Sequence, residues 1–166
     1  MDVLDSNLWV FAFTGTNRRA VELVEEAVDG EREIAVDAYI HEEVVAALTR
    51  SSGLTASETD EAVQDFLDLL TETPSIHTDF TQVDVRGLDL DARRMRPQNR
   101  LLATVLDVQP KDAPLVTLAF RYYDREPTIH TNDESFSRLV PVEHNLTDIE
   151  VTYVASDDPA MSASSS

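Results

Sequence analysis

The chain reads as an α/β sandwich built around a mostly parallel sheet. Two observations predict this: short β-branched segments alternate with stretches of helical periodicity, and turn or capping residues separate the two. The length of 166 residues is the third, because a single domain of this size buries about 70% of its unfolded surface.

Val3–Leu4 and Leu8–Phe13 form an apolar opening broken by Asp5-Ser6-Asn7, which predicts a buried strand ending near the polar triplet. Trp9 and Phe11 then fall at strand spacing, as core residues or alternatively as platforms for bases. Thr14-Gly15-Thr16-Asn17 predicts a turn and an N-cap. Ala20, Val21, Val24, Ala27 and Val28 follow at helical spacing, closed by Gly30. Ile34-Ala35-Val36 is a short strand, and Tyr39 to Leu48 a helix with Ile40, Val44, Ala47 and Leu48 on one face.

Ser51-Ser52-Gly53 breaks the chain. Thr55-Ala56-Ser57-Glu58 carries a capping signal ahead of an amphipathic helix through Leu70, with Pro74 just past its end. Ile76 to Val85 holds one strand. Asp89 to Asp107 splits into two pieces at Pro97. Asp112 can cap a helix that tolerates Pro114 in its first turn. Thr128 to Thr131 is a strand ending at Asn132-Asp133, and Leu139–Val142 and Ile149–Val154 are late strands. Residues 1–154 thus form the domain, and residues 155–166, ending in three serines, are expected to be a disordered tail.

Composition narrows the chemistry. The chain has no Cys, which removes disulfides, thiolate metal sites and thiol nucleophiles. No apolar run approaches the roughly 20 residues that span a bilayer. The N-terminus carries Asp2 and Asp5 and no basic region, so a cytoplasmic protein without a membrane partner is expected. There are 32 acidic residues against 13 basic ones, and Lys111 is the single lysine. Such a lysine-poor surface with a net charge of −19 suits molar salt, where the Debye length is only about 3 Å. There net charge is a weak veto on nucleic-acid binding, because counterion release has lost most of its driving force.

Asp5 sits between apolar neighbours and is expected near the core, where a lone carboxylate is costly unless paired or bound to metal. Glu43 lies on a helix whose other face is apolar, Asp112 starts a helix, and Asp133 follows a strand directly. Ligands of parallel sheets sit beyond the C-terminal strand ends, where strand order reverses. Four carboxylates meeting there would make a hard-oxygen site for Mg²⁺ or Mn²⁺. Among 32 acidic residues a chance quartet is also easily drawn.

Four blocks resemble the signature regions of PIN-domain ribonucleases, with the VapC-type toxins as the nearest group and a haloarchaeal member suggested by the acidity. They are Val3-Leu4-Asp5-Ser6-Asn7-Leu8, the stretch Tyr39 to Leu48, Lys111-Asp112-Ala113, and Ile129 to Phe136. The resemblance spans roughly residues 1–142 and implies a PIN-like three-layer α/β/α sandwich. It implies that Asp5, Glu43, Asp112 and Asp133 form the acidic quartet, Asp5 and Asp112 as direct ligands of Mg²⁺ or Mn²⁺. Glu43 is preferred over Glu42 because it directly precedes Val44-Val45. Asn7, Thr131 and Asn132 would orient carboxylates or substrate. The Gln82–Arg100 region matches no motif of the family, yet its Arg93, Arg94 and Arg96 could touch RNA phosphates or form a solvated face.

The implied activity is a metal-dependent endoribonuclease, the toxin of a toxin–antitoxin pair, using metal-activated water. Alternatives are a catalytically silent PIN-like module that binds RNA or protein, and an RNA-processing nuclease without a toxin role. A phospho-accepting receiver domain fits poorly, since Lys111 precedes a helix instead of following a last strand. The implied partners are RNA and an antitoxin protein. The helices at Arg18–Val28 and Thr59–Leu70 carry surplus apolar positions, for a homodimer, for an antitoxin helix or for the chain's own sheet.

The charge makes one prediction. Melting temperature should rise as KCl increases from about 0.1 to 2 M, over which the Debye length shrinks from about 10 to about 2–3 Å. A flat or falling melting curve would remove the halophile reading.

Overall fold

A computed structural model describes residues 1–51 and 53–157. Its five strands are β1 (Asp2–Leu4), β2 (Ile34–Val36), β3 (Ile76–Thr78), β4 (Thr128–Thr131) and β5 (Glu150–Tyr153). They pair in the order β3-β2-β1-β4-β5, every pair parallel. Short strands buried on both faces need continuous apolar runs, which is what Val3-Leu4 and Ile34-Ala35-Val36 supply; all five residues are buried.

The helices are α1 (Ser6–Thr14), α2 (Arg18–Val28), α3 (Ala38–Arg50), α4 (Ala56–Glu72), α5 (Gln82–Arg86), α6 (Leu90–Arg94), α7 (Pro97–Leu106), α8 (Ala113–Arg121) and α9 (Glu134–Ser137). Helices α1 to α4 pack on one another, while α7 packs on α8 and α8 on β1 and β4. The arrangement fits a three-layer α/β/α sandwich. Local signals explain most boundaries. Asn17 caps α2 through Ala20 N at 3.0 Å, Thr55 and Glu58 complete a capping box on α4, and Pro97 opens α7 at its first turn. Gly15, with φ +67°, closes α1 in the left-handed conformation that glycine adopts freely.

Two expected strands are absent. Leu8–Phe13 is helical: β1 ends at Leu4, the chain turns at Asp5, and the run becomes α1. A run apolar at every position carries no period, so strand and buried helix look alike. Trp9 is fully buried on this helix, so it offers bases no face. Leu139–Val142 passes into a 3₁₀ turn at Pro141–His144, since Pro141 has no N–H to give a ladder.

The surplus apolar positions of α2 and α4 largely serve the chain's own core. Ala20, Leu23, Val24, Ala27, Phe66 and Leu70 are buried within this chain, and Ala62, Val63 and Leu69 pack partly against them. Of the expected tail, Ala155 and Asp157 are tied to α2: Asn17 Nδ2 donates to Ala155 O at 2.9 Å, and Arg18 N to the Asp157 carboxylate at 3.1 Å. Residues 158–166 lie outside the described residues. Among the described residues, no helix is long and apolar enough to cross a membrane.

Phe66 joins the helical layer. Its ring lies 5.5 Å from Trp9, 5.7 Å from Phe13 and 5.9 Å from His41, and it is fully buried. Phe66→Ala should cost about 3–5 kcal/mol through lost burial and the cavity left behind. Urea unfolding followed by the fluorescence of Trp9, the single tryptophan, measures this; a loss below about 1 kcal/mol would contradict the packing described.

Candidate active site

Register builds the site. Leu4 pairs with His130 across β1 and β4, so Asp5 emerges level with Thr131, and Asp5 N donates to His130 O at 2.9 Å. The order β3-β2-β1-β4-β5 places the reversal of strand order between β1 and β4, at this edge, where ligands of doubly wound sheets bind. A cleft of about 160 Å³ opens there, lined by Asp5, Asn7, Glu43, Arg94, Lys111 and Asp112, among others.

Five aspartates stand at helix N-caps and divide into two kinds, Asp89 of α6 being an ordinary cap that accepts from Ala92 N at 3.1 Å. Asp37 and Asp133 use their carboxylates as caps, accepting from Ile40 N at 2.9 Å and Phe136 N at 3.2 Å. Asp5 and Asp112 occupy the same position on α1 and α8 but make no side-chain capping bond. They forgo about 1 kcal/mol each, and both carboxylates line the cleft.

Asp5 is held by Thr131, whose Oγ1 donates to Asp5 Oδ2 at 2.8 Å and accepts from Asp133 N at 3.0 Å. Thr131 is wholly buried, so one hydroxyl locks the ends of β1 and β4 together. Burial pushes the Asp5 carboxyl above its usual pKa, the Thr131 bond opposing and the Glu43 charge assisting. Asp112 is pushed up to about 7, first by burial and then by the charge of Asp5, with Asp133 and Glu43 adding to it and Lys111 opposing.

Glu43 stands on α3 and is clamped. Its Oε1 accepts from Arg94 Nη2 at 2.8 Å and lies 2.9 Å from the Tyr39 hydroxyl, which receives Arg94 Nε at 3.0 Å. Glu42 instead pairs with His41 Nδ1 at 3.1 Å. Asp133 lies half-buried, 3.7 Å from Lys111 Nζ. Asn7 is exposed at the cleft rim. Asn132 Oδ1 is buried without a hydrogen-bond partner. Arg93 and Arg96 line a different, neighbouring cleft, so the three arginines expected together on RNA are divided.

Tyr39 and Lys111 escaped sequence reasoning as site residues. The Tyr39 clamp joins α3 to an arginine 55 residues away, and no local pattern encodes that. Lys111 could have been found, as the single lysine of a −19 chain placed directly before Asp112.

The donor set fits a hard divalent cation in a limited way. Among the described residues, no three His, Asp or Glu groups stand close enough together to hold one ion. Mg²⁺ commonly binds through one or two carboxylates and keeps several waters. Asp5 and Asp112, buried and mutually repelling, are the pair that a cation would relieve.

No protein-family model matches the chain, and no curated protein matches it. Solved structures do match. VapBC2 from Rickettsia felis, solved bound to a DNA fragment from its promoter, shares 13% identity and a TM-score of 0.52, over 92% of this chain and 97% of that one. FitAcB from Neisseria gonorrhoeae shares 16% identity and a TM-score of 0.53, over 91% and 96%. At these identities the likeness shows the fold alone.

The assignment to PIN-domain ribonucleases and their VapC-type toxins, read from the four sequence blocks, therefore does not stand. The physical reason lies in composition: short apolar strands followed by an acidic residue recur readily in a chain with 32 acids, and similar burial patterns preserve a fold without preserving a family. What stands is the α/β architecture with its all-parallel five-stranded sheet.

The raised Asp112 carboxyl predicts a pH effect. Between about pH 4 and 7 the folded state keeps a proton that the unfolded state releases, so stability falls as pH rises through this window. In EDTA at pH 8, Asp112→Asn should therefore stabilise the protein, on the order of 1–3 kcal/mol. The gain should vanish near pH 4, as denaturant titrations at the two pH values would show. A destabilised variant at pH 8 would contradict the electrostatic account.

Proposed function

We propose that the chain is a divalent-cation-dependent nuclease that hydrolyses RNA phosphodiester bonds, acting as the toxin of a toxin–antitoxin pair. One observation carries the chemistry: Asp5 and Asp112 stand buried at two helix N-caps, aimed into one cleft at the sheet's switch point, with neither carboxylate spent on capping. The biological setting is supported by the shared fold, since VapBC2 and FitAcB belong to toxin–antitoxin systems.

Asp5 and Asp112 would hold Mg²⁺ or Mn²⁺. The bound cation would neutralise charge on the phosphate and lower the pKa of water. Thr131 positions Asp5 through its buried hydroxyl, and Arg94 with Tyr39 fixes Glu43 on the far wall. Lys111, partly exposed at the rim, offers its ammonium to a phosphate oxygen. In the reaction a water oxygen bonds to phosphorus and the bond to the leaving nucleoside oxygen breaks. The water's proton passes to a carboxylate of the cleft, and the leaving oxygen takes up a proton from solvent to depart as a hydroxyl.

A second reading, a non-catalytic RNA- or protein-binding module, is favoured by the clamped Glu43 and by the lack of a three-carboxylate cluster among the described residues. Cleavage assays in 2 M KCl separate the two. Labelled RNA should be cut with Mg²⁺ or Mn²⁺ and not in EDTA. Asp5→Asn and Asp112→Asn should each lose more than 100-fold, beyond the roughly 10–100-fold typical of residues that only orient ligands, the range expected for Thr131→Val. Cutting that persists in EDTA would refute the metal mechanism, and no cutting with either ion would favour the binding module.

A further inference from the structure

We propose that the cleft beside the carboxylates seats the phosphate chain of single-stranded RNA, held by Arg93, Arg96 and Arg121, with Phe80 as the platform for one base. The proposal rests on the RNA reading above. This cleft has a volume of about 440 Å³, within the roughly 300–1,000 Å³ of small-ligand pockets. It opens at the C-terminal ends of β2 and β3, where the pairing of Val36 with Thr78 brings Asp37 level with Asp79.

Three arginines converge on it in a chain of net charge −19. Arg19, Arg32, Arg94, Arg125, Arg138 and Lys111 all have carboxylate partners. Among the described residues, Arg93, Arg96 and Arg121 have none within 4.0 Å, nor do Arg18, Arg50, Arg86 and Arg100; what sets the first three apart is that they line one cleft. The cleft's own carboxylates hydrogen-bond elsewhere, although Asp37 lies in the field of Arg121 and Arg93. Asp37 accepts from Ile40 N at 2.9 Å, Asp79 from the Tyr122 hydroxyl at 2.6 Å and Asp84 from Thr81 N at 2.7 Å. The three guanidiniums keep their forked donors for another anion, and a phosphodiester matches that geometry.

The two clefts adjoin. Tyr39 lines the arginine cleft, while its hydroxyl meets Glu43 and Arg94 in the carboxylate cleft. A strand lying across this wall would present one phosphate to Asp5 and Asp112 and neighbouring phosphates to the arginines. Half-buried Phe80 rests against His41 at 5.3 Å between ring centres and lines the same cleft. Base stacking on such a ring requires an unpaired base, which favours single strands over duplex.

Binding in EDTA tests this separately from cleavage. Fluorescence anisotropy of a labelled RNA oligonucleotide would be read for the full chain across a KCl series. The R93Q/R96Q/R121Q variant should bind at least about tenfold more weakly. Its plot of log affinity against log[KCl] should be flatter by roughly 2, as each single-strand phosphate contact contributes about 0.7. Equal affinity and slope in a variant that unfolds like wild type would overturn the proposal. Should the triple variant not fold, R96Q against the charge-matched control R19Q decides: weaker binding by R96Q supports the cleft, and equal binding overturns it. Duplex RNA bound as tightly as single strand would also overturn it. Wild type that binds through these arginines yet cuts with no divalent ion would sink the nuclease reading and leave the cleft standing. Cutting with Mg²⁺ that is indifferent to all three arginines would do the reverse.

Discussion

The hydroxyl of Thr131 ties together the features on which the site depends. It accepts from Asp133 N and donates to Asp5, so a single buried oxygen couples the end of β4 to the end of β1. These strands flank the point where the sheet reverses its winding. A one-residue slip in their register would turn Asp5 and Thr131 to opposite faces of the sheet. His130, bonded to Asp2 at 3.0 Å, braces the same pair of strands from within.

Around that coupling the protein stores like charge in a confined space. Asp5 and Asp112 are both buried and face each other's field, and both are held above the usual carboxylate range. Such sites are common where function requires them, because a structure without a ligand gains nothing from the repulsion. The counterweights are uneven: Glu43 has Arg94, Asp133 has Lys111, and Asp112 has no partner of comparable strength. The imbalance sets this cleft apart from the arginine cleft next to it.

Much of the architecture was legible because its signals are local. The caps at Asn17 and Thr55, Gly15, Pro97 and the amphipathic faces of α2, α3 and α4 each act within a few residues, so their readings agree with the structure; Asp112, expected to cap α8, makes no side-chain capping bond. The opening run Leu8–Phe13 was not legible, since a stretch apolar at every position has no period to read. The resemblance to a known family drawn from four short blocks exceeded what those blocks hold, as the comparisons with solved structures support only the fold.

The sequence by itself determined an α/β chain, its alternation of elements, and the candidacy of Asp5, Asp112 and Asp133 at element ends and of Glu43 within α3. Only the tertiary structure decided which aspartates cap helices and which face a cleft, because capping depends on side-chain direction and not on position. It also separated Arg94, which clamps Glu43 across 51 residues, from Arg93 and Arg96 in the neighbouring cleft. Sequence-adjacent residues at the end of a helix point in different directions, and the partner each one finds is set by packing between segments far apart in the chain.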